Sequence, residues 1–109
     1  MNVVDVPPSL DHRSVDRLFD AVEKAADGKA LFDARRLRWV DPQGMIGLLA
    51  AGTVARDRSG SPPHLQLPES DDVLGYLARM GFFREASGIF TIDGRAPSRA
   101  GGQSDVLLE

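Results

Sequence analysis

The chain has 109 residues, no cysteine, a formal net charge of -3 and a pI near 5.3. That length makes one small domain with a real but modest core. The composition excludes a disulfide framework, a thiolate zinc site and a cysteine nucleophile, and its acidic balance argues against a nucleic-acid surface.

Residues 2–6 are short and valine-rich and stop at Pro7-Pro8, so they read as a strand. Ser9-Leu10-Asp11-His12-Arg13-Ser14 reads as a helix start, with Asp11 as N-cap and Leu10 as a hydrophobic staple. Val15, Leu18, Phe19, Val22 and Ala26 then form a helical stripe, and Asp27-Gly28 is the stop. Ala30-Leu31-Phe32-Asp33-Ala34 is too short for a helix and fits a buried strand, which 37–40 continues or flanks. Next comes a polar corner, Asp41-Pro42-Gln43-Gly44. Asp41 is a good N-cap, Pro42 suits the first helical position, and Gly44 leaves that turn bare for the approach of another molecule.

The helix that follows runs from 42 to about 58, with Met45, Leu48, Leu49, Gly52 and Ala55 as its core stripe and Ile46 and Val54 flanking. Gly47 and Gly52 each cost a helix about 1 kcal/mol relative to alanine, which points to close packing against the sheet or a partner. After a turn-rich loop over 57–63, His64-Leu65-Gln66-Leu67 alternates like a strand. Ser70 caps a third helix whose apolar face is Val73, Leu74, Leu77 and Met80, with Gly81 as its stop. Phe82 and Phe83 read as core closure, and 88–92 as a last strand.

Residues 1–93 thus form one domain. Helices alternate with short strands, the pattern of an α/β fold: a single small layered domain with a mixed, largely parallel β-sheet. In such folds sites lie at the carboxyl ends of strands, where Asp41 stands and Asp11 follows by one short loop. Residues 94–109 are rich in Gly, Ser, Pro, Ala and Arg and read as a flexible linker or tail. It closes on Val106-Leu107-Leu108, either a native tail or the opening of a missing C-terminal domain.

Motifs for catalysis are lacking. His12 and His64 stand at no metal-ligand spacing, no nucleophile elbow is present, and Gly44-Met45-Ile46-Gly47 lacks the lysine and hydroxyl of a phosphate loop. Asp5, Asp33 and Asp41 would need adjacent acidic residues and an opposing lysine to hold Mg²⁺, so they read as structural carboxylates. The basic residues Arg35, Arg36 and Arg38 read as a solvated strand edge rather than a phosphate site. Nothing calls for a metal or cofactor, and the domain reads as no enzyme. The opening Met1-Asn2-Val3-Val4-Asp5 lacks the blocks of a secretory signal. The apolar run over 45–55 falls short of the roughly 20 residues that span a bilayer, so a soluble cytoplasmic domain is expected.

The stretch 30–49 resembles the signature of STAS domains (sulphate transporter and anti-sigma factor antagonist): an apolar strand ending in Asp33, a connector, a second apolar strand, then Asp41 before a glycine and an apolar helix. Leu10-Asp11-His12-Arg13-Ser14 resembles the family's segment before its first helix, and 74–82 its final helix closing on Met80-Gly81-Phe82. The ordered match covers residues 10 to 85.

This resemblance implies a regulatory interaction module acting in transcription and signal transduction. Family members of the antagonist type bind a GHKL-type ATPase that is both kinase and anti-sigma factor, and phosphorylation of a serine after the motif aspartate breaks the contact. By that resemblance the partner-binding residues are Asp11, Asp41, Pro42, Gln43, Gly44 and Met45. Pro42 occupies the serine position, so the switch is absent there. The ATPase is expected in trans, or in cis as the second half of a fusion. The alternative is a domain that senses a small molecule or nucleotide at the amino end of the second helix.

Overall fold

Short apolar segments separated by helices leave the backbone one economical way to satisfy its hydrogen bonds, a parallel sheet with the helices crossing between strands. The computed structural model describes residues 2–25 and 28–93. Its elements in order are β1 (Asn2–Asp5), β2 (Ser9–Leu10), α1 (Val15–Lys24), β3 (Ala30–Asp33), β4 (Trp39–Val40), α2 (Pro42–Ser59), β5 (His64–Gln66), α3 (Asp71–Arg79), α4 (Phe82–Ala86) and β6 (Thr91–Asp93). The main sheet has the order β1-β3-β5-β6, and β2 and β4 form a separate pair. Every described pairing is parallel. The fold is thus a small α/β domain, as the alternation of elements implies, and among the described residues its sheets carry no antiparallel pair.

Register explains which side chains reach the core. Val4, Phe32, Leu65 and Ile92 lie in one row across the sheet. The first three are buried with Leu18 of α1, Leu48 of α2 and Leu77 of α3. Phe90 closes the far side, its ring edge-on to Phe32 at 5.3 Å. Alternation sends the neighbouring row, Val3, Leu31, His64 and Thr91, to the other face, where Val3 is 58% exposed.

The glycines of helix α2 mark where it packs closest against its neighbours. A Cβ on Gly47 would lie 2.1 Å from Val15 of α1, and one on Gly52 would lie 2.3 Å from the Phe90 ring. The intrachain neighbours therefore account for both glycines. The arginines of the last turns tie the helix down, Arg58 donating to the Val22 carbonyl at 3.1 Å and Arg56 to that of Gly88 at 2.7 Å.

Five elements differ from the sequence reading. Ser9–Leu10 is a strand, β2, because Leu10 is fully buried opposite Val40. As a result α1 starts only at Val15. Asp11 caps the preceding turn instead, its carboxylate accepting from the Arg13 and Ser14 amides at 2.8 and 3.1 Å. Phe82 and Phe83 belong to a helix, α4, which starts directly after Gly81 turns the chain at φ +79°. The last strand begins at Thr91, since Ile89 and Phe90 bond back to Ala86 rather than to a neighbouring strand. Finally, α2 buries Gly44, Met45, Gly47, Leu48, Ala51, Gly52 and Ala55, while Ile46 is 61% exposed and Leu49 half-buried. The stop at Asp27 and the linker over 94–109 lie outside the described residues. No described helix is long and apolar enough to cross a membrane.

Candidate functional site

The corner between β4 and α2 is built by three local interactions. Val40 pairs with Leu10, which fixes the end of β4. The Asp41 amide then donates to the Leu10 carbonyl at 3.3 Å, and the Asp41 carboxylate accepts from the Gly44 amide at 2.7 Å. This is the N-cap that an aspartate before proline favours. Pro42 opens the helix without needing a donor, and Met45 N–H starts the ladder by bonding to the Asp41 carbonyl at 2.9 Å.

The bare turn expected at Gly44 is filled from within the chain. A Cβ there would lie 2.0 Å from the Leu10 carbonyl oxygen and 3.2 Å from the Asp11 nitrogen. Gly44 lets strand β2 approach the helix, and no room remains for a second molecule at that point. Met45 likewise points into the core, 8% exposed. Of the six residues taken from the resemblance, Pro42 and Gln43 are exposed, Asp41 and Asp11 are half-buried, and Gly44 and Met45 are buried. Asp11 does stand beside the first turn of α2, by its backbone.

The exposed apolar surface lies one step either side. Trp39 on β4 is 51% exposed, because alternation puts it opposite the buried Val40. Ile46, one turn beyond Pro42, is the most exposed large hydrophobe of the described residues. The signal for Ile46 was present in α2, whose apolar residues encircle the helix although only one side meets the sheet.

Trp39, Val40 and Pro42 also form one wall of a groove of about 410 Å³. Val73 and Tyr76 of α3 form the other, and Arg38, Asp41 and Asp72 supply its charges. The contribution of α3 was invisible to sequence spacing, since it depends on how β5 places that helix. A second groove, of about 450 Å³, runs along Pro7, Pro8 and Asp11 to Arg13 and Arg17 and is half polar.

Asp33, Asp11 and His64 each have a structural partner. Asp33 ends β3 and is gripped by Arg35 through two bonds of 3.0 Å each, and it also accepts from the Arg35 amide at 3.1 Å. The Arg35 side chain holds the Asp33 carboxyl below its usual value against the opposing effect of burial. Arg35 is therefore no free strand-edge cation. Asp11 is lowered too, first by the Arg13 amide and then by that of Ser14. Asp5 pairs with Asp33 across β1 and β3, but Asp41 follows β4, a strand of the other sheet, as the N-cap of α2. Among the described residues no three His, Cys, Asp or Glu side chains gather as a metal site. His64 Nδ1 lies 2.9 Å from Asp93 Oδ1, a link between β5 and β6.

Compared with protein-family models, curated proteins and solved structures, the chain matches none of them.

Proposed function

We propose that this chain is a non-catalytic regulatory domain of the STAS, anti-sigma-antagonist type. It works in the cytoplasm and docks a GHKL-type ATPase, in cis or in trans, through the β4–α2 corner. The observation that carries this reading is the exposed run Trp39, Pro42, Gln43 and Ile46, set around a helix start that is otherwise locked into the core. A rigid corner presenting apolar side chains loses little conformational entropy on binding, which suits a standing contact. Pro42 carries no hydroxyl, so serine phosphorylation does not break that contact at this position. Relative to the sequence reading, docking moves outward, from Gly44 and Met45 to Trp39 and Ile46.

The test is calorimetric titration of the chain with a purified GHKL-type ATPase from the same genome. Binding at micromolar affinity or tighter is expected, with Ile46→Asp weakening it by about tenfold or more while the melting temperature holds. Absence of binding, or an unchanged affinity for Ile46→Asp, rejects the assignment.

The groove supports a second reading, a small-molecule or nucleotide sensor, because about 410 Å³ with mostly apolar walls is within the range of ligand sites. A thermal-shift screen against metabolites and nucleotides separates the two.

A further inference from the structure

The groove between β4 and α3 has a charge pattern that the docking corner does not use. Its walls are apolar, from Trp39, Val40 and Pro42 on one side to Val73 and Tyr76 on the other. Arg38 stands on the first wall and Asp72 on the second. Both side chains are exposed, and neither makes an ion pair or hydrogen bond with another described residue. Asp72 is explained in part by its place in the first turn of α3, where the helix dipole favours a carboxylate. Arg38 has no such local reason.

We propose that the groove is filled by a second copy of this chain. A two-fold axis through the groove brings the Arg38 wall of one copy against the Asp72 wall of the other, and the same operation makes the reciprocal contact. Two ion pairs then form together, and the half-exposed Trp39 of each copy covers the apolar floor of its partner. Asp41 also lines the first wall, but its carboxylate is spent on the Gly44 amide. The side chains left without a partner are self-complementary: one cation and one anion on opposite walls of one apolar cleft. An acidic or a basic peptide would answer only one of the two charges. The apolar walls supply the attraction, and the charges fix orientation and exclude other partners. Because Trp39 belongs to both surfaces, pairing of two copies and docking at the corner compete.

The proposal is tested with the full chain alone, so the readout does not depend on any ATPase. Sedimentation equilibrium is run over a dilution series from tens to hundreds of micromolar on wild type, Arg38→Asp, Asp72→Arg and the double variant. Wild type is expected to dimerise, and each single reversal to raise the dissociation constant by about tenfold or more. An equimolar mixture of the two single variants is expected to form a heterodimer, since every reversed charge then meets its opposite. The double variant is expected to dimerise like wild type. Restored pairing in the mixture also shows that both variants are folded. A wild-type chain that stays monomeric throughout, a dimer indifferent to both reversals, or a mixture that remains monomeric overturns the proposal.

Discussion

The carbonyl oxygen of Leu10 lies 2.0 Å from the place a Cβ on Gly44 would occupy. The obstacle is backbone, and that backbone is held on its other side by the pairing of β2 with β4. Gly44→Ala must therefore push β2 away or distort the first turn of α2. The expected cost is about 1–3 kcal/mol, read as a lower denaturation midpoint in urea. A stability equal to wild type would show that the corner is looser than its geometry says. The variant is also unsuitable as a probe of docking, because it alters the fold first.

Asp41→Ala removes the acceptor for the Gly44 amide. Loss of an N-cap costs about 1 kcal/mol, and Asp41→Asn should recover most of it, since asparagine caps nearly as well. Urea melts of the three proteins check the order.

Asp33 makes stability depend on pH. Its carboxyl is held below 3.8 by Arg35. A carboxylate lowered in the folded state contributes stability above its unfolded value and loses it as pH falls through the folded value. Asp33→Asn should therefore be less stable than wild type near neutrality by about 1 kcal/mol. The gap should close as pH drops below about 4. Thermal melts from pH 7 to pH 2.5 would reveal it, and a gap that stays constant would mean that charge plays no part.

Gly52 meets a side chain, Phe90, rather than backbone. The ring can give way, but Phe90 is itself seated edge-on against Phe32 in the core. Gly52→Ala gains helix propensity of about 1 kcal/mol and loses packing of similar or greater size. A net destabilisation smaller than that of Gly44→Ala is expected, and comparing the two midpoints tests whether backbone or side chain yields more readily.

Pro42→Ser tests the proposed docking of a kinase at this corner. The position is exposed in the first turn of α2, and the substitution should cost less than about 1 kcal/mol. With ATP and a kinase-competent GHKL-type partner, the variant is expected to gain one phosphate by intact mass and then release the partner, while wild type stays unmodified. A variant that binds but is never phosphorylated would count against an antagonist-type contact at this turn.

Most of the fold was legible because helix periodicity, caps and turn residues agreed with one another. Asp41-Pro42 and Ser70 set the starts of α2 and α3, and both side chains make the expected caps. The misplaced pieces depend on long-range partners. Two residues such as Ser9 and Leu10 have no period to read, and they become a strand only because β4 is there to pair with them. Phe82 and Phe83 read as core closure rather than as a helix, because the glycine before them ends one helix and begins another. At the site, Asp41 was identifiable from its neighbours alone, whereas the burial of Gly44 was not. A glycine that admits a partner and a glycine that admits the chain's own backbone look the same in one dimension.

The closure of that corner by Leu10 has a consequence for when the domain can act. The turn that presents Pro42 and Gln43 is shaped by a strand about thirty residues earlier in the chain. An excised peptide spanning the corner would lack its mould, and so would a nascent or partly denatured chain in which β2 has not yet found β4. Under the proposed docking, recognition is in this sense a proof of folding: only molecules that have completed their non-local pairing display the surface.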